Sequence, residues 1–136
     1  MSGADVAAAA RRLVGTPFRL RGRDPATGLD CVGLVGCALA ASGHSVRLPK
    51  DYSLHSLDIG PLLPFAGACG LGDASGDPEP GDVVLFQVGL VQFHLAVADG
   101  LRGFVHANAG LRRVVAGPAD PQWPIARLWR LPAKEE

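Results

Sequence analysis

Residues 28–35 read Gly28-Leu29-Asp30-Cys31-Val32-Gly33-Leu34-Val35, and here a turn-rich stretch gives way to an apolar segment with the character of a helix. Asp30 opens the helix and Gly43 stops it after about Ser42. The segment is apolar on nearly all sides, which predicts a buried helix, and Gly33 and Gly36 permit close approach by other elements. Cys31 falls on the first turn, where unpaired backbone N–H groups and the positive end of the helix dipole favour a thiolate. A cysteine there can equally be a small buried hydrophobe, so its partners decide between the two readings.

Upstream, residues 5–14 form an alanine-rich helix that Ser2 or Asp5 can cap and that Gly15 follows. Thr16-Pro17 bars helix, and residues 24–28 make a turn. Residues 51–72 have no clear pattern: residues 52–57 could start a helix, but Gly60, Pro61 and Pro64 interrupt it, and residues 73–80 form a surface loop. From Gly81 the character changes. Residues 82–88, 93–99, 103–109, 112–116 and 126–131 are short, valine- and aromatic-rich, and separated by glycine or proline turns. Helices first and strands second predict one α+β domain over residues 1–136, its N-terminal helices packed on a C-terminal antiparallel sheet of about five strands.

The turn at residues 99–103 has hairpin chemistry, so facing residues have numbers summing to about 200–202. His94 then lies opposite His106 or Asn108. All three are even-numbered and share one face, within cross-strand or diagonal reach. A base with an orienting partner needs this arrangement, and together with a cysteine at a helix start it makes the parts of a cysteine-nucleophile site. Ala96, small and on the same face, leaves room for the Cys31 helix to pack there. Cys37 and Cys69 read as core or structural residues, His44 as solvated, His55 as a residue without a partner at a telling spacing, and Trp123 and Trp129 as core or cleft wall.

Thirteen basic and thirteen acidic residues balance to zero net charge, and aromatics are 6% of the chain, which argues against nucleic-acid binding. Met1 to Asp5 carries no basic start of a secretory signal. The longest apolar run, residues 31–41, falls short of the roughly 20 residues that span a bilayer, so no membrane insertion is expected and synthesis is expected in the cytoplasm. Three cysteines at irregular spacing argue against a disulfide framework, and no Cys-x-x-Cys or paired-His spacing reads as a zinc site.

These residues carry a family resemblance along nearly the whole chain. The blocks are Leu13 to Gly22, then Gly28 to Val35, then Pro80-Gly81-Asp82-Val83-Val84-Leu85-Phe86, then Phe93-His94-Leu95-Ala96-Val97, then Phe104-Val105-His106-Ala107. In this order, with the Asp-Cys and His-Ala pairs, they resemble the NlpC family of papain-like cysteine peptidases, which cut the peptide stems of bacterial peptidoglycan. Within it the wording is most similar to the stand-alone peptidases of phage tails and gene-transfer agents. The resemblance implies a Cys31 nucleophile, a His94 base and an orienting His106, with no metal or organic cofactor. It implies that Asp30 helps bind the substrate's free amine and that Phe18 and Val32 belong to the substrate site. It also implies a peptidoglycan stem as substrate, tail-tip proteins as partners, and delivery to the wall by a particle. Two positions depart from the pattern. Phe18 replaces a common tyrosine whose hydroxyl assists the oxyanion hole, a loss that typically costs on the order of 10²–10³ in turnover. Val32 replaces a common serine, which removes a polar contact from the specificity pocket.

Overall fold

The computed structural model describes residues 2–44, 46–48, 63–90, 92–101 and 103–132. Helix α1 spans Gly3–Arg12 and begins in a reciprocal capping box: the Ser2 hydroxyl accepts from the Asp5 N–H, and the Asp5 carboxylate accepts from the Ser2 N–H. Strands β1 (Arg23–Asp24) and β2 (Gly28–Leu29) form a small antiparallel ribbon that leads directly into α2 (Cys31–Ala41). Helix α2 is buried almost throughout, as its even apolar coat requires. It ends in a Schellman turn, in which the Gly43 N–H returns to Ala40 and the His44 N–H to Leu39. That turn folds His44 inward. Instead of being solvated, the side chain is half-buried, and its Nε2 is buried without a hydrogen-bond partner among the described residues.

A short helix α3 (Pro64–Ala68) and the two-residue strand β3 (Gly72–Asp73) precede the main sheet strands. These are β4 (Val83–Gly89), β5 (Gln92–Ala98), β6 (Phe104–Asn108), β7 (Arg113–Gly117) and β8 (Ile125–Arg130). The antiparallel order is β3-β8-β4-β5-β6-β7. The architecture is the expected α+β one, with β3 added as a sixth strand at the edge; two residues are too few for alternation to reveal them. His55 and the segment 49–62 lie outside the described residues.

The sheet is buried on both faces. Odd-numbered residues of β4 to β6 (Val83, Leu85, Leu95, Val97, Val105, Ala107) join Val6, Leu34, Val35 and Leu39 in the main core. Even-numbered Val84, Phe86 and Ala96 join Leu128 in a second core, which Phe104, Ala119 and Trp123 cover. The helices therefore pack on the odd face, and Ala96 does not receive the Cys31 helix: its neighbours are Phe86 and Leu128. At the far end of the sheet, buried Asp82 accepts from Arg130 Nε (2.9 Å) and Nη2 (2.8 Å), tying the start of β4 to the end of β8.

Gly33 brings α2 against the turn before β1, since a Cβ at this position would run into the backbone oxygen of Gly22. Gly33→Ala is therefore expected to cost about 1–3 kcal/mol by overpacking. Gly67→Ala in α3 has open space around the added methyl and should be neutral or gain up to about 1 kcal/mol. Urea unfolding of the two variants beside the wild type checks this opposite pair of signs.

Candidate active site

The local sequence sets the N-terminus of α2 through one carboxylate. Asp30, extended at φ −93°, ψ −173°, is the N-cap, and its Oδ1 accepts from the Gly33 N–H at 2.8 Å. Its Oδ2 accepts from the Arg21 N–H at 2.9 Å, and the Arg23 guanidinium reaches Oδ1 at 3.1 Å. Asp30 is 3% exposed, so these donors stand in for water. Cys31 then occupies the first helical position.

The histidines come from the neighbouring strands. Between β5 and β6 the registered pairs among the described residues are Val97↔Val105 and Ala98↔Phe104, numbers that sum to 202. Continued along the strands, that register sets His94 against Asn108 and diagonal to His106. The diagonal partner makes the contact: His94 Nε2 and His106 Nδ1 lie 2.8 Å apart, with the rings nearly perpendicular at 89°. At that distance one of the two nitrogens carries the hydrogen and the other accepts it.

The thiol and the imidazoles line one pocket, beyond the registered β5–β6 pairs. The backbone amide of Leu95 faces the Cys31 sulfur there, so a helix packed on the odd face shares a site with histidines that project from the even face. Cys31, His94, His106, Asp30 and Phe18 all line one pocket of about 480 Å³, together with Arg21, Asn108 and Trp123. Phe18 is held there by its backbone, whose N–H donates to Arg112 at 2.9 Å, and it presents a ring that offers no hydrogen-bond donor. Val32 is not brought to the pocket. It points into the main core with 0% exposure, because the second position of a helix capped at Asp30 turns away from the cleft. Trp123, from the loop before β8, lines the cleft wall, one of the two places that the sequence left open for it, because loop position depends on tertiary packing.

Burial dominates the electrostatics. It pushes the Cys31 thiol up to about 12; the amides of Leu95, Val32 and Cys31 itself pull the other way, and the nearby Asp30 carboxylate adds to the rise. The thiolate expected from the helix start is thus outweighed in the pocket by the loss of water. Burial likewise lowers His94 to about 4, with help from His106, and lowers His106 itself. At neutral pH the pocket holds a neutral thiol and two neutral imidazoles. A proton passed from thiol to imidazole creates opposite charges in the same dry space, and their attraction offsets part of each burial penalty. Among the described residues no group of three or more His, Cys, Asp or Glu is placed to hold a metal. No helix among them is long and apolar enough to cross a membrane.

The chain belongs to the NlpC/P60 family, whose profile matches residues 15–129. Solved structures with the same fold include NlpC2 from Trichomonas vaginalis (TM-score 0.71, 18% identity, covering 98% of this chain and 48% of that one). The NlpC/p60 domain of the peptidoglycan hydrolase SagA aligns at TM-score 0.63 and 23% identity over 96% of this chain and 98% of that one. The peptidoglycan hydrolase RipB from Mycobacterium tuberculosis aligns at TM-score 0.57 and 19% identity over 94% of this chain and 63% of that one. The chain spans about half the length of these Trichomonas vaginalis relatives, 48% of NlpC2 and 44% of NlpC1. A search of curated protein sequences gives no match.

The lowered His94 predicts a pH dependence of stability. From about one pH unit above 6.5, His94 is neutral in both folded and unfolded chains and contributes nothing. As the pH falls from there towards 4, the unfolded chain takes up a proton that the folded site refuses, and stability drops by about 1.4 kcal/mol per pH unit. Urea unfolding at pH 7 and pH 4.5 should show a larger acid loss for the wild type than for His94→Gln, since the carboxylates titrate in both.

Proposed function

We propose that this NlpC/P60 chain is a cysteine peptidase that hydrolyses amide bonds in peptidoglycan stem peptides. The observation that carries the reading is the shared pocket of Cys31, His94 and His106, with the two imidazoles in hydrogen-bond contact at 2.8 Å. His94 uses Nε2 toward His106, which leaves Nδ1 for the thiol. In that tautomer Nε2–H donates to His106 Nδ1, and His106 orients the base and stabilises its charged form. As Cys31 Sγ attacks the carbonyl carbon, its proton passes to His94 Nδ1. The tetrahedral oxyanion forms beside the N–H groups at the start of α2, with the Cys31 amide as one donor. Collapse breaks the C–N bond, and His94 gives its proton to the leaving amine. Water then hydrolyses the thioester, with His94 as base again.

Asp30 lines the pocket beside the thiol, where the family resemblance gives it a role with the substrate's amine. The kinship of sequence wording with phage-tail and gene-transfer-agent peptidases supports a further part of the proposal. The protein is made in the cytoplasm, rides on a phage-like tail with tail-tip partners, and opens the wall of the target cell during entry. A second reading, a wall-binding tail subunit with weak or no turnover, is favoured by Cys31 at 3% exposure and by Phe18 in place of a donor.

Purified sacculi separate the two. Wild type should release soluble stem fragments, Cys31→Ala should release none above background, and His94→Ala should be slower by on the order of 10²–10⁴. Equal release by wild type and Cys31→Ala removes the nucleophile, and a wild type that binds sacculi without releasing fragments selects the second reading.

A further inference from the structure

The His94–His106 hydrogen bond fixes only one direction of the base. An imidazole held at a single nitrogen can still pivot about that bond, and a half-buried pair can be invaded by water. A second ring packs against the base. Trp123 lies with its ring centroid 6.1 Å from that of His94 at an interplanar angle of 74°. His94 thus has two ring neighbours set steeply to its plane, His106 and Trp123.

Trp123 is itself held from both ends. Its backbone N–H donates to Asp120 O at 3.0 Å, Asp120 Oδ1 accepts from the Gln122 N–H at 2.9 Å, and the Pro124 carbonyl accepts from the Gln87 N–H at 2.9 Å. Its indole packs on Phe86 (5.8 Å, 54°), which pairs with His94 across the β4–β5 ladder and is held edge-on by Phe104 (5.1 Å, 86°). Three aromatic residues of the even face therefore anchor one wall of the pocket against one imidazole. We propose that Trp123 is a positioning residue for the base: its indole, clamped by its own turn and by Phe86, fixes the His94 ring against His106 and keeps water from the pair. The inference rests on His94 being the base, but its physical content concerns the His94 ring alone.

Among the described residues, the titratable and charged groups that share the pocket with His94 are His106 on β6, Cys31 on α2, Asp30 at its cap and Arg21 in the turn before β1. Trp123→Ala leaves all four in place and removes only the wall. NMR titration of ¹⁵N-labelled histidines should find His94 well below its ordinary midpoint in the wild type. The midpoint should move up by at least about one pH unit in Trp123→Ala and by much less in Trp123→Phe. On sacculi the acid limb of kcat/KM should move with it, and kcat should fall more than KM changes. A His94 midpoint unmoved in a folded Trp123→Ala variant overturns the proposal. If that variant does not fold, the wild type still decides: indole–imidazole NOEs and a depressed His94 midpoint are required, and their absence overturns the proposal. The titration needs no turnover, so failure of the peptidase reading shows in Cys31→Ala on sacculi, while failure of this inference shows in the His94 midpoint.

Discussion

The carboxylate of Asp30 is the constraint on which the rest of the site depends. An ion at 3% exposure survives in a protein interior only when strong donors replace its water. Here the Gly33 N–H, the Arg21 N–H and the Arg23 guanidinium do so, and in converging they fix three things at once: where α2 begins, how the turn before β1 closes, and which residue occupies the first helical position. That residue is Cys31. The arrangement carries a cost in the same place, because the charge that positions the thiol also opposes its ionisation. The nucleophile is thus held ready as a neutral thiol, and its activation falls to the proton acceptor opposite.

That acceptor shares a pocket with the thiol beyond the registered β5–β6 pairs, although α2 packs on the odd face and parity puts His94 and His106 on the even one. The registered pairs lie at Val97↔Val105 and Ala98↔Phe104, and beyond them the Leu95 amide faces the sulfur of Cys31. The imidazoles are partly buried, in surroundings that favour their neutral forms. A neutral imidazole is the form that can accept a proton, and burial keeps it so well into the acid range.

Much of this was legible from local chemistry. The Asp30–Cys31 helix start follows from capping preference, and the common face of His94 and His106 follows from the period of two and the hairpin turn at Gly100. Both depend on residues close in sequence. What was not legible depends on packing at a distance. The choice of sheet face for α2 ran opposite to the room left at Ala96, because the loop carrying Ala119 and Trp123 covers that face. Val32 went into the core, and the Schellman return after Gly43 turned His44 inward. The dipole argument for a thiolate was sound in direction, but burial outweighs it, and the extent of burial is a property of the whole fold.

Selective covalent capture tests the central claim, that Cys31 is a nucleophile served by His94, most directly. A stem-peptide analogue ending in a chloromethyl ketone sets its ketone at the position of the scissile carbonyl and offers the sulfur the adjacent methylene, from which chloride leaves as the thioether forms. Intact-mass and peptide-mass measurement should find one adduct, on Cys31, with Cys37 and Cys69 unmodified and the rate strongly reduced in His94→Ala. No adduct under conditions where free cysteine reacts, or equal labelling of the three thiols, would contradict the account.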